Sequence, residues 1–310
     1  MTSSLLPPSL LPRLERLSIA SRRRIRGTLQ GKRRSSSFGS SLEFADYREY
    51  APGDDIRRFD WSVYSRTGRP FVRQYWDEQE LRINLCVDIS ASMDFSGGSE
   101  RRAETGQAPE NKLLYAKQLA ASVGYMALAG DDVVQGAVFS DEIKGKLPPL
   151  RGKASAVRLF SFLQETGPAG PGDLAGALRQ PGALPRQPGM SWIFSDLWLE
   201  SGVEGLAETL AFFQAAGQEI VLVHVLSEAE LRPALSGDLR LLDSELGTGK
   251  EVAITGKILD KYGRALDEYI KEIGRFCGRR GIRYVLAPTD VPLEQGIVKM
   301  MGKAGTTGGK

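Results

Sequence analysis

From Arg82 onward the hydrophobic positions switch repeatedly between strand-like and helix-like spacing, the pattern of an α/β layer protein. Short apolar runs predict strands over Ile83–Ile89, Val133–Phe139, Ser191–Ser195, Ile220–Leu226 and Tyr284–Ala287. Helical patterns between them predict helices over Lys112–Ala129, Ala154–Glu165, Leu174–Leu178, Val203–Ala215 and Lys257–Arg279. This order implies a doubly wound, mostly parallel sheet with helices on both faces. Ligands of such sheets gather outside the carboxyl ends of the strands, near the point where the strand order reverses. The loop Ser96–Glu110, rich in Gly, Ser and Glu, is longer than the usual βα connection, and such loops are functional or mobile. A second polar stretch, Leu231–Lys250, predicts a small hairpin or excursion before the last long helix, and the tail Gly302–Lys310 is expected to be disordered.

Residues before Arg82 read differently. Arg13, Arg16, Arg22, Arg23, Arg24, Arg26, Lys32, Arg33 and Arg34 are opposed in their stretch only by Glu15, which makes residues 1–40 a basic arm. Residues 41–80 mix rings with charges: Phe44, Tyr47, Tyr50, Phe59, Trp61 and Tyr64 alternate with Arg48, Asp54, Asp55, Arg57, Arg58, Asp60 and Arg66, and Pro52-Gly53-Asp54-Asp55 marks a turn. The simplest physical picture is a small β-rich module whose rings pack beneath Arg–carboxylate pairs. The chain thus divides into the arm, this module, an α/β domain over residues 81–301 and the tail from 302 to 310.

Composition narrows the function classes. Apolar residues make up 41% and charged residues 25%, and no window approaches the uninterrupted apolar length of a membrane span. Met1–Pro12 carries three prolines and no basic flank or continuous apolar core, so it does not read as a signal peptide. Two cysteines, Cys86 and Cys277, fall in a strand pattern and a helix pattern, as buried reduced thiols do, and a cytoplasmic location is expected. The net charge of +3 is small.

The candidate chemistry begins at the end of the first α/β strand. Asp88, Ser90 and Ser92 leave it at alternate positions, and strand side chains alternate faces, so one carboxylate and two hydroxyls converge on one point. Hard cations such as Mg²⁺ take oxygen ligands and keep several waters, so few protein oxygens suffice. The plain alternative is a strand end whose polar residues cap the next element. Ser195-Asp196 ends another predicted strand on the same edge of the sheet. His224, the one histidine, lies in an apolar strand with no serine or cysteine context of an activated nucleophile, and reads as a core residue. The glycines from 167 to 172 lack the Gly-Lys-Ser/Thr that completes a phosphate-binding loop.

With these residues placed, the chain resembles the bacterial family catalogued as domain of unknown function 58, whose core is similar to a von Willebrand factor A domain. Its most specific part is the aromatic module: Arg48, Tyr50, Gly53, Asp54, Asp55, Arg57, Asp60, Trp61 and Arg66 stand in the family's order and spacing. The resemblance implies a metal-ion-dependent adhesion site, with Asp88, Ser90 and Ser92 as its first element and Asp196 as its third. The second element departs from the pattern, because Gly172 stands where the family often has Thr, so Asp173 or a water would fill that place.

The resulting expectation is a non-enzymatic protein-interaction module. Mg²⁺ or Mn²⁺ at that edge would dock an acidic residue of a partner, and the resemblance implies an adaptor or assembly factor working with a MoxR-type AAA ATPase or its client. Nucleic acid is not expected as a partner, since no aromatic residues interleave with the bases of the arm. Two alternatives remain open: nucleic-acid or anionic-membrane binding through that arm, and a scaffold with a degenerate metal site.

Overall fold

In the computed structural model, residues 5–19, 34–38, 44–78, 80–96, 111–180, 183–199, 202–235, 237–242 and 249–304 are described. The chain forms two units, one of Arg24–Leu81 and one of Met1–Arg23 with Arg82–Lys310. The larger unit begins with the short helix α1 (Leu11–Leu14).

The smaller unit is an antiparallel sheet in the order β1 (Arg34–Phe38), β3 (Phe71–Glu78), β2 (Phe44–Glu49), with helix α2 (Trp61–Thr67) between β2 and β3. Its local structure follows from short polar side chains. Gly53 turns the chain at φ +104, a conformation that suits glycine. Asp54 Oδ2 accepts from Ala51 N at 2.8 Å, and Asp54 Oδ1 pairs with Arg48 Nη2 at 2.6 Å. Asp60 caps α2 by accepting from Ser62 N and Val63 N, while its Oδ2 takes Arg73 Nε at 2.7 Å and Tyr47 Oη at 2.9 Å. The Arg73 guanidinium is the chief reason that the Asp60 carboxyl lies far below the usual range. The helix stops at Gly68, in the left-handed region at φ +64.

The larger unit is built on a six-stranded sheet: β4 (Arg82–Asp88), β5 (Val133–Phe139), β6 (Ile143–Leu150), β7 (Gly189–Ser195), β8 (Gln218–Leu226) and β11 (Arg283–Pro288). The spatial order is β11-β8-β7-β4-β5-β6, parallel throughout except for β6. From β4 the chain moves outward to β5 on one side, and from β7 it moves outward to β8 on the other. The switch point therefore lies between β4 and β7. A separate antiparallel pair, β9 (Gly237–Leu242) and β10 (Gly249–Ile254), is the hairpin expected in the second polar stretch.

Helices flank this sheet. On one side α3 (Lys112–Ala129) runs against β4, β5, β7 and β8 and is buried nearly all round. Gly124 gives α3 its close approach: a Cβ there would meet Leu159 Cδ2, on α4 (Ala156–Glu165), at 2.4 Å. On the other side Cys86, Phe139, Ile193 and Leu222 form one core with α5 (Leu174–Arg179), α6 (Gly202–Ala215) and α8 (Gly256–Arg279). Leu178, Leu210, Phe213 and Phe276 of those helices are buried in it, each contributing about 1.5–3 kcal/mol by leaving water. Burial pushes the Cys86 and Cys277 thiols up to about 12, as inert core cysteines. Two short elements complete the unit, α7 (Glu228–Leu231) and α9 (Leu293–Ala304).

Three expectations are corrected. The sequence pattern does not predict β6, because Pro148 and Pro149 interrupt it; prolines are tolerated there on an antiparallel edge strand. The boundary of the tail moves, since residues 302–304 end helix α9, with Met300, Met301 and Ala304 buried; residues 305–310 lie outside the described residues. The arm is not one segment: Leu5, Leu6, Leu10, Leu14 and Ile19 are buried in the larger unit, and Glu15 accepts from Tyr125 Oη at 2.6 Å and pairs with Lys153. Arg13 pairs with Glu294, and Arg22, Arg23, Arg24, Arg26, Lys32 and Arg33 lie outside the described residues, as does most of the loop Ser96–Glu110.

Candidate metal and docking site

Register brings the candidate residues together. Val87 pairs with Phe194 and Ser195 with His224, so the ends of β4, β7 and β8 lie side by side at the switch point. Asp88 is 4% exposed and Asp196 2%. Asp88 Oδ1 accepts from Ser90 N at 2.9 Å, and Oδ2 accepts from Ser195 Oγ at 2.6 Å. The Ser90 and Ser92 hydroxyls lie 3.1 Å apart. Beyond Ser195 the backbone turns sharply: Leu197 is held at φ +52, a left-handed conformation that costs a leucine on the order of 1 kcal/mol. Leu197 N is satisfied by Ser195 Oγ at 3.0 Å, and this turn presents Asp196 at the strand end.

The charges at this edge do not balance. Burial, and then the negative charge of Asp196, push the Asp88 carboxyl up to about 7, against the opposing hydrogen bonds from Ser195 and Ser90. The buried cation here is Lys112, whose Nζ lies 2.9 Å from Asp196 Oδ2 and 2.7 Å from Glu230 Oε1. Burial pulls this ammonium down, but Asp196 and Glu230 outweigh it and hold Lys112 above its ordinary value. His224 adds no positive charge, because burial lowers it to about 4; its Nδ1 meets Tyr284 Oη at 2.8 Å. Lys112 is thus shared by Asp196 and Glu230, while the buried Asp88 carboxyl, beside Asp196, accepts hydrogen bonds from Ser90 N and Ser195 Oγ, both neutral.

The donor set suits a hard divalent cation. Asp88, Ser90 and Ser92 offer oxygens only, and Asp88 receives hydrogen bonds from neutral donors. Asp196 gives Oδ2 to Lys112, while its Oδ1 makes a long contact of 3.5 Å with Trp198 N. Among the described residues no group of three or more His, Cys, Asp and Glu side chains is placed to hold a metal ion. Residues 169–170 run along this loop: Ala169 N donates to Ile89 O at 2.7 Å and Ala91 N to Gly170 O at 2.8 Å.

Comparison with known proteins identifies the lineage. The family model described as "Protein of unknown function DUF58" matches residues 46–269. Uncharacterized proteins of Mycobacterium tuberculosis and Mycobacterium bovis are 30% identical to this chain over 275 residues, covering 86% of it and 81% of each relative. The chain belongs to the DUF58 family. Among solved structures, the conserved hypothetical protein BatB from Bacteroides thetaiotaomicron is similar at 14% identity and a TM-score of 0.38, over 72% of this chain and 99% of that one. An aerotolerance-related membrane protein from Bacteroides fragilis is similar at 15% identity and a TM-score of 0.41, over the same shares. Likenesses this distant carry no argument about function. Among the described residues no helix is long and apolar enough to cross a membrane.

In this DUF58 chain the matched span contains Asp88, Lys112, Asp196 and Glu230 alike. Asp173 is occupied differently. Its Oδ1 caps α5 by accepting from Gly176 N at 2.9 Å, and a Cβ at position 176 would lie 2.0 Å from Asp173 Oδ2. Gly172 and Asp173 line a small cavity of about 130 Å³ with Trp198, Leu199 and Leu206. Sequence reasoning missed Lys112 and Glu230. Each left a signal: a lysine opening an apolar helix opposes the helix dipole, and Ser227-Glu228-Ala229-Glu230 spells the capping box that forms.

Proposed function

We propose that this DUF58 chain is a non-enzymatic protein-interaction module whose von Willebrand factor A-like domain holds Mg²⁺, or Mn²⁺, and docks a carboxylate of its partner. The observation that carries the reading is the charge imbalance at the switch point of the sheet: Asp196 and Glu230 share the Lys112 ammonium, and the buried Asp88 carboxyl lies against Asp196 with hydrogen bonds from the neutral donors Ser90 N and Ser195 Oγ. Asp88, Ser90, Ser92 and Asp196 would hold the cation. Once bound, a divalent cation offers an open coordination position to a carboxylate. The protein's own groups orient the site: Ser195 fixes one Asp88 oxygen, Ser90 N fixes the other, and Lys112 takes one Asp196 oxygen. The strand order, with its reversal beside β4, supports the von Willebrand-type assignment. The non-enzymatic reading is supported by His224, neutral and bonded to a tyrosine, and by thiols pushed up to about 12.

On the family resemblance we assign the partner as a cytoplasmic MoxR-type AAA ATPase or its client, with this chain as adaptor or assembly factor. The test is surface plasmon resonance with a MoxR-type ATPase of the same organism. Binding in Mg²⁺ should weaken at least about tenfold, or about 1.4 kcal/mol, in chelator and equally in Asp88→Ala. Binding indifferent to both treatments would remove the metal from the account.

A further inference from the structure

In the smaller unit Asp54 and Asp60 are taken up by internal partners, while Asp46, Glu49 and Asp55 stay exposed. Asp54 is held by Arg48 and Ala51 N, Asp55 accepts from Arg57 N at 3.0 Å, and Asp60 serves α2, Tyr47 and Arg73. Arg57, Arg58, Arg66 and Arg69 are exposed, and among the described residues none of them forms an ion pair. The same stretch, residues 56–69, also exposes apolar side chains. Trp61 is 65% exposed, Ile56 62% and Tyr64 44%. Tryptophan brings a large apolar surface that folds tend to bury, so leaving it this open calls for a reason beyond packing.

The rings act as one patch. Phe59 packs at 4.5 Å from Trp61 and 5.6 Å from Tyr64, and Trp61 meets Tyr64 edge-on at 6.4 Å. Single-stranded nucleic acid calls for separated ring faces on which successive bases stack. A cluster of rings in mutual contact, with exposed arginines in the same stretch of chain, instead has the makeup of a protein hot spot, in which Trp, Tyr and Arg dominate. Those arginines bring positive charge and fork-shaped donors that match carboxylates.

We propose that the α2 face of the smaller unit is a second docking surface, which takes an acidic protein segment carrying apolar anchors. Carboxylates of that segment pair with Arg57, Arg58, Arg66 and Arg69, and an apolar side chain lies against Trp61. The surface uses no metal and is independent of the site at Asp88.

The full-length chain, in chelator, is titrated by fluorescence anisotropy with four labelled probes of equal length. These are a peptide repeating Glu-Glu-Leu-Phe, polyglutamate, a peptide repeating Lys-Lys-Leu-Phe, and oligodeoxythymidylate. The acidic apolar peptide should bind tightest. Trp61→Ala and the pair Arg57→Glu with Arg58→Glu should each weaken it by about tenfold or more, with Trp61→Phe falling between the wild type and Trp61→Ala. Circular dichroism of each variant confirms its fold, which the exposure of these side chains predicts to be intact. Tighter binding of the oligonucleotide, equal binding of the lysine peptide, absence of binding, or indifference to Trp61→Ala in a folded variant would each overturn the proposal.

Discussion

Asp88→Asn should make the metal-free protein more stable at pH 8, by about 2–4 kcal/mol, while removing the stabilisation that Mg²⁺ confers on the wild type. The sign follows from the direction of the shift. Burial and Asp196 raise the folded-state Asp88 carboxyl from 3.8 to about 7, so between those values the folded state binds more protons than the unfolded state. This residue therefore lowers stability as pH rises through that window, and above it the full cost of the buried charge is present. Asparagine keeps the shape and removes the charge. Urea unfolding of wild type and variant in chelator should give curves that converge near pH 4 and separate progressively toward pH 8. In Mg²⁺ at pH 8 the wild type should recover and the variant should not respond. Equal stability of the two at pH 8 in chelator would mean that the Asp88 carboxylate is not under electrostatic stress.

Lys112→Met should destabilise the protein by about 3–5 kcal/mol, the scale of leaving buried charges without their partner. Lys112 is 1% exposed and holds Asp196 at the end of β7 and Glu230 on α7, so its removal sets two carboxylates against each other and against Asp88. Methionine preserves the volume, which confines the effect to charge and hydrogen bonding. Adding Glu230→Gln to Lys112→Met should restore part of the loss, and a double-mutant cycle by urea unfolding measures that coupling. Additive losses would place Lys112 and Glu230 outside a single network.

Much of this architecture is legible without coordinates because each signal is local. The runs predicted to end at Ile89, Phe139, Ser195 and Leu226 mark strand ends within a residue or two. The alternation of Asp88, Ser90 and Ser92 follows from the strand period alone. What escapes is non-local. Lys112, Asp196 and Glu230 are far apart in sequence, and only the order β8-β7-β4, with α3 against it, brings an ammonium between two carboxylates. β6 escapes because Pro148 and Pro149 look like loop residues until an edge position makes them acceptable. The N-terminal leucines escape for a related reason: Leu5, Leu6 and Leu10 are buried by tertiary contact and carry no period of their own. Asp173 escapes as well: expected as a filler of the second metal-site element, it is seen as the cap of α5 only once Gly176 N is found donating to it.

The central claim is that the edge at Asp88 and Asp196 holds a divalent cation. Calorimetric titration of the metal-stripped full-length chain with Mg²⁺ and Mn²⁺, alongside Asp88→Ala and Asp196→Ala, tests it most directly. The account predicts saturable one-site binding in the wild type and none in either variant. Absence of binding in the wild type, or binding that survives Asp88→Ala, would contradict it.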